Sequence, residues 1–477
     1  MIFNSIDFGI FFPLVFFLFW ILFKNTVKAR NLFLIGVSYF FYGWWDWRFL
    51  SLIVISSVID YIAGIKIYEE EDKKKQKMWL SFSLITNLGF LGFFKYCNFF
   101  VDSFVDAFSI LGQDIGSSNL DIILPAGISF YTFQTLSYTL DIYNKKIEPT
   151  KDVSSFFAFV SFFPQLVAGP IERAKDLLPQ FFTKSVINYE LLRSGLLLMV
   201  WGFFKKIVIA DRLAIFIDAS YQDIEHLDCL TFCVTVLFFA FQLYLDFSAY
   251  SNIAIGSARL LGFNLSTNFR QPYLAKSFSD FWQRWHISLS SWFKDYVYIP
   301  LGGNKVAKLK VTRNILIVFV LSGLWHGSSW NFVIWGLLNA LFILVFDKFL
   351  SNKGNNILKR VFSGIFITLS WSLSLVFFRA KTFNDAIDVF SSVFNESQDL
   401  LYTYGLNSME FEFTIYLLIG YMIMEVVIDK YDNLYTWFVS RFFLIRWTIY
   451  LSVLFVILLF GSYGVGLNDN NFIYFQF

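Results

Sequence analysis

The chain has 477 residues, of which 57% are hydrophobic and 16% charged, with a mean hydropathy of +0.57 and a formal net charge of +2. A soluble chain carries about 25% charged residues, so the surplus apolar surface must face lipid. The near-neutral charge gives no case for nucleic-acid binding, and the cysteines (Cys97, Cys229, Cys233) form no C-x-x-C or His/Cys cluster with metal-ligand spacing.

The 64 Phe, 24 Tyr and 15 Trp fit membrane interiors and interfaces. The first apolar run, Phe8 to Phe23, has no basic residue before it and no small-residue cleavage site after it, so it reads as a retained helix. Basic stretches then thread the chain by the positive-inside rule. "KNTVKAR" (Lys24–Arg30) is cytoplasmic, which puts the N-terminus outside and the "WWDW" turn (Trp44–Trp47) outside as well. "KIYEEEDKKKQK" (Lys66–Lys77) returns inside, Val105–Asp121 falls outside, and "NKKIEPTKD" (Asn144–Asp152) is inside again. Asp218–Asp228 is acidic and external, with His226 read as a solvated surface residue. Basic charge assigns Arg259–Arg313, Asp347–Arg360 and Arg441–Arg446 to the cytoplasm, with Lys381–Glu412 and the tail 468–477 outside. The expectation is an all-α polytopic membrane protein, one domain over 1–477, with about eleven crossings plus broken segments.

One apolar run is anomalous. Asn314–Phe346 has cytoplasmic charge at both ends yet is about twice the length of one crossing. It must go in and return, breaking at Ser322, Gly323, Gly327, Ser328 and Ser329, which flank His326. Non-helical backbone at membrane depth is tolerated where it is buried or lines a cavity, so His326 is expected at the turn of a hairpin, facing a cavity. An intramembrane ionisable residue is functional by default, although a core histidine bonded to a carbonyl is the plainer alternative.

Upstream, Lys276–Lys305 reads "KSFSDFWQRWHISLSSWFKDYVYIPLGGNK". Ser277 and Asp280 have capping-box spacing. Asp280 and Arg284 form an i,i+4 pair. Trp282, His286 and Ser290 would share one face of a helix that runs to Gly302-Gly303. His286 could equally anchor such a helix at the interface.

These stretches carry a resemblance. "DFWQRWHISLSSWFKDYVYIPLGGN" followed by "GLWHG" resembles the signature of the membrane-bound O-acyltransferase (MBOAT) family, in the bacterial branch that contains the alginate O-acetylation membrane protein. "PAGISFYTFQTLSYTLDIY", "SFFPQLVAGPIERAKDLLPQF" and "YLDFSAYSNIAIGSARLLGFNLSTNFRQPYLA" fit the same branch, so the likeness covers most of Ile2–Phe346. The "YIPLGGN" run, Tyr298–Asn304, favours the acetyl-transferring branch over the D-alanylating one. The resemblance implies the MBOAT fold around a central cavity, with a catalytic core over about 120–346. It makes His326 the catalytic residue and His286 its companion. It implies acetyl-CoA from the cytoplasm as donor, no bound cofactor or metal, and transfer in the cell membrane to an extracytoplasmic polysaccharide or to a periplasmic or surface acetyl-transferring partner protein. Peptidoglycan or teichoic acid is the alternative acceptor.

The chemistry is compatible. Acyl transfer to a hydroxyl needs a base for its proton, and a desolvated histidine, pushed below about 6.5, stays neutral and able to accept one. Asp246, Asn268 and Arg270 could orient donor or acceptor, with helix–helix hydrogen bonding as the plain reading. Arg284, Trp325 and Trp330 are further substrate-channel candidates, the two indoles narrowing a donor tunnel. Lys205 and Lys206 read as markers of a cytoplasmic end. A transporter or flippase would also have broken apolar segments, but no inverted repeat is visible and the histidine motifs would go unexplained.

The stretch "FIYFQF", Phe472–Phe477, resembles the F-x-Y-x-x-F ending of the small membrane peptide that accompanies the D-alanylating relatives. That resemblance makes Tyr474 a candidate acyl relay, since a phenol of pKa about 10 leaves more readily than a sugar hydroxyl. The plain reading is an aromatic interfacial anchor.

Overall fold

The computed structural model describes residues 1–112, 120–350, 357–396, 400–431, 434–463 and 472–473. Among these residues the regular structure is entirely helical. Nine helices there are long and apolar enough to cross a membrane. Two of them, Val27–Glu69 with 43 residues and Lys73–Ile110 with 38, are longer than one crossing needs. The first of these turns at Asp46, whose carboxylate caps Trp47–Phe49 by accepting the Arg48 N–H. Tyr474 and Phe477 lie outside the described residues, as does Asn468–Asn471.

The chain reads as one membrane domain, whereas its contacts group it into two compact units: residues 1–199 with 253–266, and 200–252 with 267–477. In the first unit, helices Leu50–Glu69, Lys73–Leu91 and Ile128–Tyr143 pack on one another. Buried Asp60 is satisfied there by Ser83 at 2.5 Å and Asn87 at 3.0 Å. Arg30, a mere topology marker in the sequence, is also buried. It donates to the carbonyls of Thr183 and Phe181 at 2.5 and 2.9 Å and lies over the Phe263 ring. A guanidinium in the interior needs such a set of acceptors.

The second unit is organised by a hairpin. Lys308–His326 and Trp330–Leu350 are antiparallel helices joined at Gly327–Ser329, where the length and charge of the run require a turn. Glycines let the two backbones touch. A Cβ on Gly323 would meet the Phe332 carbonyl oxygen at 2.2 Å, and one on Gly336 the Phe319 carbonyl oxygen at 2.3 Å. Gly323→Val is therefore expected to push the helices apart and destabilise by about 1–3 kcal/mol, as overpacking does. A lowered melting midpoint in detergent checks this, and an unchanged one would mean the hairpin can open freely.

The segment after Ser277 differs from expectation. The capping hydroxyl accepts the Asp280 N–H at 3.1 Å and Asp280 pairs with Arg284 at 2.9 Å, but the helix stops at Arg284. It resumes as Ile287–Phe293, followed by a π-helical turn over Lys294–Tyr298. The cause is tertiary: Arg270 N–H donates to the Arg284 carbonyl and Ile287 N–H to the Asn268 carbonyl, both at 2.9 Å. His286, at the break, has φ +41° and ψ +55°. Left-handed backbone is unusual for a histidine and persists only where its surroundings fix it.

Candidate active site

Both motif histidines are buried in the second unit, with ring centroids 6.4 Å apart and the rings edge to face. His326 is the last residue of its helix, and its Nδ1 lies 2.6 Å from the Ser322 carbonyl oxygen one turn back. A carbonyl can only accept, so Nδ1 carries the proton and Nε2 the lone pair. His286 is held in the same way. Asn268 gives its amide N–H to Ser251 at 3.3 Å, while its Oδ1 accepts from Ser288 N–H and from His286 Nδ1, both at 3.2 Å. Two neighbouring imidazoles are thus fixed as Nδ1–H tautomers. Burial, and then the nearby His326, hold His286 well below the ordinary histidine value, so it is neutral at pH 7.

Aromatic rings close the pair in. Trp335, Trp325 and Phe378 stand edge-on to His326 at 4.9, 5.0 and 5.6 Å. Phe247 and Trp325 do the same for His286 at 4.7 and 5.7 Å. Trp325 therefore lies beside both histidines. Trp330, the other indole expected near His326, is 59% exposed, and Trp335 supplies a buried indole at His326. Trp330 and Trp335 are five residues apart, roughly 140° around a helix of 3.6 residues per turn, so the two indoles point to different sides.

His326 is only 4% exposed, and two cavities approach its shell. The smaller, about 250 Å³, is walled by Trp282, Phe293, Phe319, Tyr298 and Ser322, the residue whose carbonyl orients His326. The larger, about 1170 Å³, is bounded by Ser328, Ser329, Phe332 and Phe378 and by a charged rim that includes Asp218, Asp223 and Arg379. Arg379 pairs with Asp218 at 2.7 Å. His226, close by in sequence, is exposed, and its hydrogen bond to Asp223 raises its pKa.

Two of the remaining candidates, Arg284 and Asp246, are held in ion pairs. Arg284 bridges Asp280 and Asp429, and Asp429 also binds Arg360 at 2.7 Å, so this network ties together three helices of the unit. Asp246 is buried, 2.7 Å from Lys206, which is 2.9 Å from Asp211. Lys206 is thus a buried counter-ion, beyond its expected role as a marker. Sequence reasoning also missed Asp347, which accepts the Phe278 N–H at 2.7 Å and caps the helix leading to His286. Its only sequence signal was an acid beside a basic loop. Among the described residues, no group of three or more His, Cys, Asp or Glu gathers as a metal site.

Residues 149–352, which include both histidines, match the MBOAT, membrane-bound O-acyltransferase family. Over 398 residues the chain is 37% identical to the peptidoglycan O-acetyltransferase of Helicobacter pylori, covering 77% of this chain and 74% of that one. It is 36% identical over 378 residues to the protein named probable alginate O-acetylase in Azotobacter vinelandii, covering 78% and 74%. A teichoic acid D-alanyltransferase of Bacillus subtilis is 27% identical over 233 residues, covering 47% and 59%. With these relatives, and with both motif histidines inside the matched region, the chain belongs to the membrane-bound O-acyltransferase family and is an O-acyltransferase.

Proposed function

We propose that the protein moves acetyl groups from cytoplasmic acetyl-CoA across the cell membrane for O-acetylation of an extracytoplasmic polysaccharide, with His326 as base. The observation that carries this reading is the 2.6 Å bond from His326 Nδ1 to the Ser322 carbonyl, which leaves Nε2 as the proton acceptor. The attacking hydroxyl gives its proton to Nε2 as its oxygen bonds the thioester carbonyl carbon. The C–S bond then breaks, and the thiolate of CoA takes that proton back. His286, its centroid 6.4 Å from that of His326, is the companion that shapes the site around the base. The smaller cavity suits the donor arm, and the larger one the acceptor, because its charged rim includes the acidic stretch assigned outside by charge. Both chain ends then lie on the outer face.

The acceptor follows the activities for which the relatives are named: alginate-like exopolysaccharide first, peptidoglycan or teichoic acid as the alternative, either directly or through a surface acetyl-transferring protein. Tyr474 is the proposed relay, acetylated from the donor and then deacetylated by the acceptor. The test is mass spectrometry of acetyl groups released from surface glycans by mild base, with and without this protein. Glycans that carry the same acetyl load in both would overturn the reading.

Trp325 sits against both histidines at 4% exposure, so it should limit acyl length. Trp325→Ala is expected to admit longer acyl-CoA or to lower acetyl transfer, measured as kcat/KM along a chain-length series. An unaltered enzyme that already prefers long acyl-CoA would contradict the narrow tunnel.

A further inference from the structure

Asp246 and the residue after it face two different neighbours. Its Oδ1 is the one paired with Lys206, at 2.7 Å, and Lys206 also holds Asp211. Two carboxylates share one ammonium in a dry place, so the second oxygen of Asp246 still needs a donor. The donor is the backbone N–H of Ile473, 2.8 Å from Asp246 Oδ2 and 227 positions away in sequence. Phe472 and Ile473 are 0% and 2% exposed. The Phe472 ring lies 4.5 Å from Tyr250 and 5.6 Å from Phe247. Phe247 in turn stands 4.7 Å from His286.

This is a seat for a peptide strap. The carboxylate reads the backbone, which any residue but proline could offer. The two rings read an aromatic side chain at the preceding position. An interfacial anchor would leave Phe472 against lipid headgroups, not fully enclosed beside a histidine's aromatic wall.

We propose that Asp246, held by Lys206, is the positioning residue that docks the Phe472–Ile473 strap into the aromatic wall beside His286. The inference rests on and deepens the acyl-relay reading: residue 473 is one peptide unit, about 3.8 Å between successive Cα atoms, before the tyrosine of that relay. Asp246 acts through the strap and touches no substrate.

The test uses the full chain in nanodiscs with p-azidophenylalanine at position 472. Irradiation is expected to cross-link it to the stretch 244–252, mapped by mass spectrometry. Ile473→Pro removes the N–H and leaves the Asp246–Lys206–Asp211 cluster intact; it should abolish that cross-link, and Ile473→Val should retain it. Asp246→Ala, which removes the acceptor, should abolish it too. In parallel, Ile473→Pro should lower kcat roughly 10²-fold, the scale of a misplaced reacting group, with KM for acetyl-CoA unchanged and Ile473→Val near normal. A cross-link to lipid alone, or one that survives Ile473→Pro, overturns the seat whatever the activity does. A proline-sensitive cross-link in a chain that transfers normally as Tyr474→Phe keeps the seat and rejects the relay.

Discussion

Replacing His326 with alanine is expected to abolish acyl transfer while the protein remains folded and inserted. A general base contributes roughly 10²–10⁴-fold, and the Ser322 carbonyl at 2.6 Å fixes the proton of His326 on Nδ1, which leaves its Nε2 lone pair as the acceptor. The fold should tolerate the change, because the hairpin is held by the close passage of Gly323 and Gly336 against the opposite backbone and not by the imidazole. The measurement is transfer of labelled acetyl from acetyl-CoA by protein reconstituted in vesicles, with a melting curve on the same sample. A folded variant with activity near wild type would remove His326 from the mechanism.

The position of His326 was legible because length and charge alone force the turn. A run too long for one crossing, tethered by charge on the same side at both ends, has one solution, and the small residues mark where it bends. The broken helix at His286 was not legible. Capping residues, an i,i+4 ion pair and an amphipathic pattern all favour continuous helix, and two hydrogen bonds from Asn268 and Arg270 overrule them. Local patterns report what a segment prefers, and a buried loop that competes for its backbone groups is invisible in them. Trp330 illustrates the same limit, since nothing in its sequence neighbourhood marks its indole as exposed. Lys206 and Asp246 illustrate another. A charge can mark topology and also be a buried partner, and only the fold shows that two acids close on it.

Tyr474→Phe is the second change with a large expected effect. It keeps the ring and the strap that precedes it and removes only the hydroxyl. If the acetyl group travels through Tyr474, transfer to an external acceptor should fall to background while donor binding is untouched. The phenol makes a sensible intermediate: its ester lies between a thioester and an alkyl ester in leaving-group ability, since phenol has a pKa near 10. The first step is therefore not wasted, and the second still runs downhill to a sugar hydroxyl. Withholding the acceptor should then trap one acetyl on the peptide that carries residue 474, which mass spectrometry reads directly. The seat around Ile473 gives the trapping experiment its control. Ile473→Pro keeps the hydroxyl and loses the docking bond, so it should slow formation of the acetyl-peptide, whereas Tyr474→Phe should eliminate it. Normal transfer by Tyr474→Phe, or an acceptor-starved enzyme with no acetyl on that peptide, would leave direct attack of the acceptor hydroxyl, deprotonated by His326, as the route.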